Sequence, residues 1–298
     1  MPEAGRAIMV FHFERLRKYA GPAAEGDVEA VHDMRVATRR LRAALRIAGP
    51  FYKRKVARSL RAMLKELADD LGAVRDRDVL IAHADRFDQE QPEGAPRLAA
   101  WLDHLRAQRA DAHRSLIDYL RSKRFEKLLQ TFEAFAGEAG ADTKAAQPGE
   151  PSRVCDVVAV AVWQHYSIVR AYQAAESLSL AEMHALRIDV KRLRYTLEFF
   201  QQVLGRAAAD LIALCVRLQD HLGELHDVDV ASGLLRDFVA GRIQQGELGS
   251  SPALAAVFAY QTDVQSQIAE RLRQFPDVWQ PILDASFRRT LSRLLSRI

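Results

Sequence analysis

Two stretches of this chain spell nearly the same helix. VHDMRVATRRLRAALRIAGPFY (31–52) aligns with MHALRIDVKRLRYTLEFFQQVL (183–204), so that His32 falls on His184, Arg35 on Arg187, Arg39 on Lys191, Arg40 on Arg192 and Arg42 on Arg194, all at an offset of 152. A second block, LKELADDLGAVRDRDV (64–79), matches CVRLQDHLGELHDVDV (215–230) at offset 151, placing Leu71-Gly72 on Leu222-Gly223, Asp76 on Asp227 and Asp78 on Asp229. Weaker agreement upstream sets His12, Arg17 and Tyr19 on His165, Arg170 and Tyr172. A repeat of this kind constrains the fold strongly, because both halves must build the same unit.

The segment GEAGADTKAAQPGEPS (137–152) has Gly, Pro and acids with no helical apolar period, and reads as the connection between halves. The expected organisation is therefore a first helical bundle over 1–138, a linker over 139–152 and a second bundle over 153–298. In the first half, helices are expected near 5–20, 28–48, 54–72, 76–88, 97–121 and 124–136. Loop-like stretches at 88–97 and 241–252 correspond roughly between halves. No segment alternates like a strand, so the fold class is all-α: two related four-helix-type bundles, one from each copy of the internal repeat. The two cysteines, Cys155 and Cys215, lie in apolar helical patterns without metal-ligand spacing and read as small core residues. No apolar run reaches the roughly 18 residues of a membrane span, and the N-terminus lacks the order of a signal peptide. A soluble, cytoplasmic protein with no membrane partner is expected.

Charge is distributed unevenly. Residues 31–65 hold eleven Lys or Arg and one acid, Asp33, a net +10 that leaves −6 for the rest of a chain whose total is +4. At about 100° per residue, His32, Arg35, Arg39, Arg42 and Arg46 fall within an arc of roughly 80°, opposite Met34, Ala37, Leu41, Ala44, Leu45 and Ala48. His184, Arg187, Lys191 and Arg194 repeat the spacing opposite Leu186, Val190, Leu193 and Leu197. Like charges three or four residues apart on a helix repel, and no Asp or Glu occurs from 34 to 65 to relieve them. Arginine offers a planar fork of donors suited to phosphate oxygens. A ladder of such groups along about 20 Å of helix suits a chain of phosphates better than one small ligand. Two ladders facing each other would frame a basic central pore or cleft. Nucleic acid held by its backbone is the rival polyanion, although single-strand binders usually add aromatic stacking platforms. Aromatics are only 8% here, and Tyr19, Tyr52, Tyr172 and Tyr195 are the ones near the basic faces.

HDMRVATRRLR (32–42) and HALRIDVKRLR (184–194), with LGAVRDRDV and LGELHDVDV, closely resemble the paired motifs of the CHAD family, the conserved histidine α-helical domain. The resemblance covers essentially the whole chain. It implies two helical bundles about a pseudo-twofold axis, a basic pore or cleft, non-catalytic binding of inorganic polyphosphate, and a link to polyphosphate granules and their associated proteins. It also implies His32, Arg35, Arg39, Arg40, Arg42, His184, Arg187, Lys191, Arg192 and Arg194 as polyphosphate ligands. Arg46, Arg54 and Arg58, with Arg61 and Lys65, extend the first-half surface by charge and periodicity. Their second-half counterparts include Ala209, Ile212 and Val216, so stronger binding along the first half is expected.

No cofactor or metal is expected. His32 and His184 have Val36 and Ile188 at +4 and arginines at +3, surroundings that disfavour a dication. His32-Asp33 and His226-Asp227 superficially match the pair used by metal-dependent phosphohydrolases, the second alternative to polyphosphate binding, but the repeat does not carry the pair from one half to the other. Neither a metal-carboxylate cluster nor a nucleophile with its base is evident, so no enzyme is expected. Asp76, Asp78, Asp227 and Asp229 follow a leucine-glycine expected to end a helix, and read as caps of the next helix; the alternative is that they orient ligand arginines or hold a bridging ion. His32 and His184 are expected to donate to phosphate, with affinity rising toward about pH 6.

Overall fold

The computed structural model describes residues 1–298 except 138, 139, 141, 176 and 245–251. Helices account for its elements: α1 (Pro2–Ala24), α2 (Val28–Ala48), α3 (Arg54–Glu90), α4 (Ala99–Leu120), α5 (Lys123–Gly137), α6 (Val154–Ala171), α7 (Leu180–Phe199), the single turn α8 (Gln201–Leu204), α9 (Ala208–Gln244), α10 (Pro252–Leu283) and α11 (Ala285–Leu295). Among the described residues there is no strand, only an isolated bridge between Tyr52 and Thr143. No helix among them is long and apolar enough to cross a membrane.

The two helices that carry the repeated basic motif each start at a well-defined cap. Asp27 accepts from the backbone N–H groups of Glu29 and Ala30 at 2.8 and 3.1 Å. Ser179 and Glu182 form a reciprocal capping box, with the Ser179 N–H donating to Glu182 at 2.8 Å and the Glu182 N–H donating to Ser179 Oγ at 3.3 Å. Such caps satisfy amide donors that a helix start otherwise leaves unpaired. They fix where each ladder begins. From there the apolar stripes go inward as the 3.6-residue period requires: Met34, Leu41 and Leu45 of α2, and Leu186, Val190, Leu193 and Leu197 of α7, are fully buried.

One expectation is corrected by α3 and α9. Each runs 37 residues, about 55 Å at 1.5 Å per residue, straight through Leu71-Gly72 and Leu222-Gly223, where helix ends were expected. Glycine lowers helix propensity by only about 1 kcal/mol, and the stripe Leu60, Leu64, Leu67, Leu71, Val74 is buried without interruption. Burial of that stripe outweighs one glycine. Asp76, Asp78, Asp227 and Asp229 therefore lie inside helices and cap nothing.

Two apolar cores result. Phe13 stacks on Phe132 at 4.8 Å in the first, with the buried faces of α2 and the start of α3. The second gathers α6, α7, α9, α10 and α11, with Tyr166 stacked on Phe287 at 5.1 Å. Leu80, Ala84, Trp101, Leu102 and Leu105 also belong to the second core, because α3 is longer than one bundle and carries its far end, with the start of α4, across to the other half. The linker spans 139–152, of which 139 and 141 lie outside the described residues, as do 245–251 of the loop expected over 241–252. Its described part folds back on the turn between α2 and α3: Lys53 N–H donates to the Asp142 carbonyl at 2.7 Å and Lys144 N–H to that of Phe51 at 2.9 Å.

Candidate functional site

α2 and α7 pack against each other, and this contact brings the two basic faces together. Lys191 of α7 stands among Arg39, Arg35 and Arg46 of α2 and Arg187 of its own helix. Burial first, and then these four guanidinium groups, push its ammonium down to about 8. Arg39 is likewise held below its ordinary value by burial, with Arg35, Arg194 and Arg40 adding to the effect. Burial and the nearby Arg192, Arg42 and Arg61 do the same to Arg46. Among the described residues no ion pair within 4 Å joins a carboxylate to Arg39, Arg42, Arg46, Arg187 or Lys191. Concentrating like charges at a half-buried contact costs free energy.

Other repeated arginines have internal partners. Glu198 takes Arg40 from the first half and Arg194 from its own helix, the latter at 2.9 Å. Arg192 pairs with Asp189 at 2.6 Å. Between them lies Tyr195, whose ring meets the guanidinium carbons of Arg40, Arg194 and Arg39 at 5.3, 5.4 and 5.8 Å. Its hydroxyl is buried without a hydrogen-bond partner. Of the two uses weighed for the acids, orienting arginines fits Asp76, which reaches Arg35 at 3.4 Å. Asp227 lies beside Arg187, Arg35 and Asp76, and its carboxyl is raised by burial despite the arginines. Arg35 and Arg187, with Asp76 and Asp227, thus form one four-membered cluster from two pairs of repeat-related positions. Asp78 serves the scaffold instead, and its 2.7 Å pair with Arg109 braces α3 against α4.

His32 lies half-buried near Arg75, and burial followed by that charge lowers its pKa. His184 places Nδ1 3.2 Å from Nδ1 of His226, with ring centroids 4.4 Å apart. Burial, Arg187 and His184 push His226 down to about 4. His12 is held at about 4 by burial and the charges of Arg40 and Arg15. Its repeat counterpart His165 is lowered by burial, Arg46 and Arg192. The repeat alignment singles out His12 and His165; nothing in the sequence points to His226 as the neighbour of His184.

Arg54 and Arg58 stand apart from the α2–α7 contact, on a cavity of about 690 Å³ shared with Lys53, Arg61 and Lys144. Arg61 links the two regions. It donates to the Leu45 carbonyl at 2.8 Å, lying over the bare backbone of Gly49, where any Cβ would collide with its guanidinium.

The CHAD domain sequence model matches residues 7–236. The chain is 30% identical over 182 residues to the uncharacterized proteins Rv2226 and MT2285 of two Mycobacterium tuberculosis strains, an alignment covering 56% of this chain; it spans about a third of the length of these relatives. Its fold is similar to the crystal structure of the CHAD domain from the plant Ricinus communis, with TM-score 0.72, 24% identity and coverage of 94% of this chain and 91% of that one. PptA from Streptomyces chartreusis superposes with TM-score 0.70 at 17% identity, covering 94% of this chain and 99% of that one. With the paired motif, the all-helical architecture and the matched family model in agreement, the chain belongs to the CHAD family.

Proposed function

We propose that the protein is a non-catalytic binding module for inorganic polyphosphate, held in the cleft between the basic faces of α2 and α7. The supporting observation is the convergence of Arg39, Arg46 and Lys191 without ion-paired carboxylates, in a setting that depresses Lys191 to about 8. A phosphate chain relieves this repulsion along its length, each group able to accept from guanidinium forks of both helices. The nearness of Arg39 to Lys191 and of Arg35 to Arg187, pairs matched in the sequence alignment, supports this reading. Arg42 lies beside Arg46, while Arg54 and Arg58 offer a continuation toward the α2–α3 corner. Arg40, Arg192 and Arg194 contribute positive potential and hold the framework through Glu198 and Asp189. A role in the cytoplasm at polyphosphate granules, with granule-associated partners, follows from this reading.

Replacing Arg39, Arg46 and Lys191 together by Gln tests the proposal. Charge-assisted hydrogen bonds contribute about 1.5–3 kcal/mol each, so polyphosphate affinity drops by at least about a hundredfold while the helical circular dichroism signal stays. Undiminished binding by the folded triple variant would place the ligand elsewhere.

A further inference from the structure

The second half of the chain holds one lysine. Seven of the eight lysines precede residue 145, and every other cation of the α7 face is arginine. Lys191 occupies the position that Arg39 takes in the first repeat, half-buried at the centre of the cleft; the other seven lysines are exposed. A guanidinium stays protonated at any physiological pH, whereas a desolvated lysine beside other cations becomes a nucleophile. Arg39 and Arg187 are the cations that act most strongly on this amine, and both carry donors suited to phosphate oxygens.

We propose that Lys191 is a site of covalent acylation by acyl phosphates, with Arg39 and Arg187 holding the phosphate of the reagent beside the amine. An acyl phosphate joins in one molecule the anion these arginines recognise and the electrophile the amine requires. The Nζ lone pair attacks the acyl carbon, and the bond from that carbon to the phosphate oxygen breaks. Inorganic phosphate leaves, the amine proton passes to it or to solvent, and an amide remains on Lys191. No electron donor or acceptor is needed. The arginines stabilise charge on the departing phosphate, where fixed donors act most strongly. With the amine at about 8, its neutral fraction near pH 7.5 exceeds that of an ordinary lysine by about two orders of magnitude, of which reduced basicity removes about one. The amide abolishes one positive charge at the middle of the cleft. This consequence rests on the polyphosphate reading, and acylation would then turn binding down.

The test treats the full chain with acetyl phosphate at about pH 7.5 and follows each lysine by peptide mass spectrometry. Lys191 is expected to react about tenfold faster than the seven exposed lysines, which serve as internal controls. The preference should shrink with a neutral N-hydroxysuccinimide ester, and with acetyl phosphate in the double variant Arg39→Gln, Arg187→Gln. Reaction of Lys191 no faster than the exposed lysines, or equal preference for both reagents, overturns the proposal. Long-chain polyphosphate added beforehand should protect Lys191. Preferential acetylation without protection supports the acylation site while contradicting the polyphosphate reading, so the two fail separately.

Discussion

At the scale of single residues, Lys191 and Tyr195 make the α2–α7 contact measurable. Lys191 holds its proton less tightly in the folded chain than in the unfolded one, so between about 8 and the ordinary lysine value near 10.4 the unfolded state binds more protons. The stability of the free protein should therefore gain from this group as pH rises through that window. Lys191→Met should flatten the gain and stabilise the free protein by about 0.5–2 kcal/mol at neutral pH, the usual scale of relieving an unfavourable charge; denaturant melts at several pH values check this. Bound polyphosphate favours the ammonium, so affinity should fall as pH climbs above 8, which titration calorimetry in buffers of different ionisation enthalpy reads as proton uptake. His32 starts below the ordinary histidine range, which moves any histidine-driven strengthening to more acidic conditions than the sequence leads one to expect. Tyr195 separates ring from hydroxyl. Since its buried oxygen has no partner, Tyr195→Phe should change stability little, whereas Tyr195→Ala removes the surface under three guanidinium groups and should cost about 3–5 kcal/mol.

At the scale of elements, the long helices α3 and α9 correct the reading of the leucine-glycine pairs. A glycine ending a helix takes a left-handed conformation and resists substitution, while one inside a helix gains from a methyl group. Gly72 has nothing within 4 Å of a prospective Cβ, and at Gly223 the nearest atoms are those of Arg187 at an ordinary 3.7 Å. Gly72→Ala and Gly223→Ala are each expected to stabilise by about 0.5–1 kcal/mol; a loss of stability in thermal melts would restore the turn. The basic helices were legible because their apolar and cationic residues share one period, and period alone assigns faces. The acids were not, because a lone Asp after Leu-Gly has the same local pattern as a cap and as a mid-helix partner. Only the packing of α3 shows that Asp76 meets Arg35 and that Asp78 meets Arg109. In the same way, Glu198 follows Arg194 by one turn, visible in sequence, but its pairing with Arg40 across the halves is a tertiary fact.

At the scale of the whole molecule, the packing of α2 against α7 gathers positive charge that the net total does not reveal. Packing repeat-related faces against each other concentrates cations from both halves, while acids elsewhere bring the total back to +4. The same packing crosses the expected boundary, since α3 and α4 contribute to the second core; apolar periodicity marks which face of a helix is buried but not against which partner. At the α2–α7 contact, Tyr195 lies buried against Arg39, Arg40 and Arg194, so this ring offers no face for base stacking, and polyphosphate needs none. Both polyanions release counterions on binding, so salt dependence does not tell them apart. The most direct measurement is competition at about 150 mM salt between long-chain polyphosphate and single- or double-stranded nucleic acid, matched in phosphate concentration. The proposed polyphosphate site between α2 and α7 predicts that polyphosphate displaces nucleic acid at equal phosphate; displacement of polyphosphate by nucleic acid would contradict it and make the basic face an open backbone-binding surface.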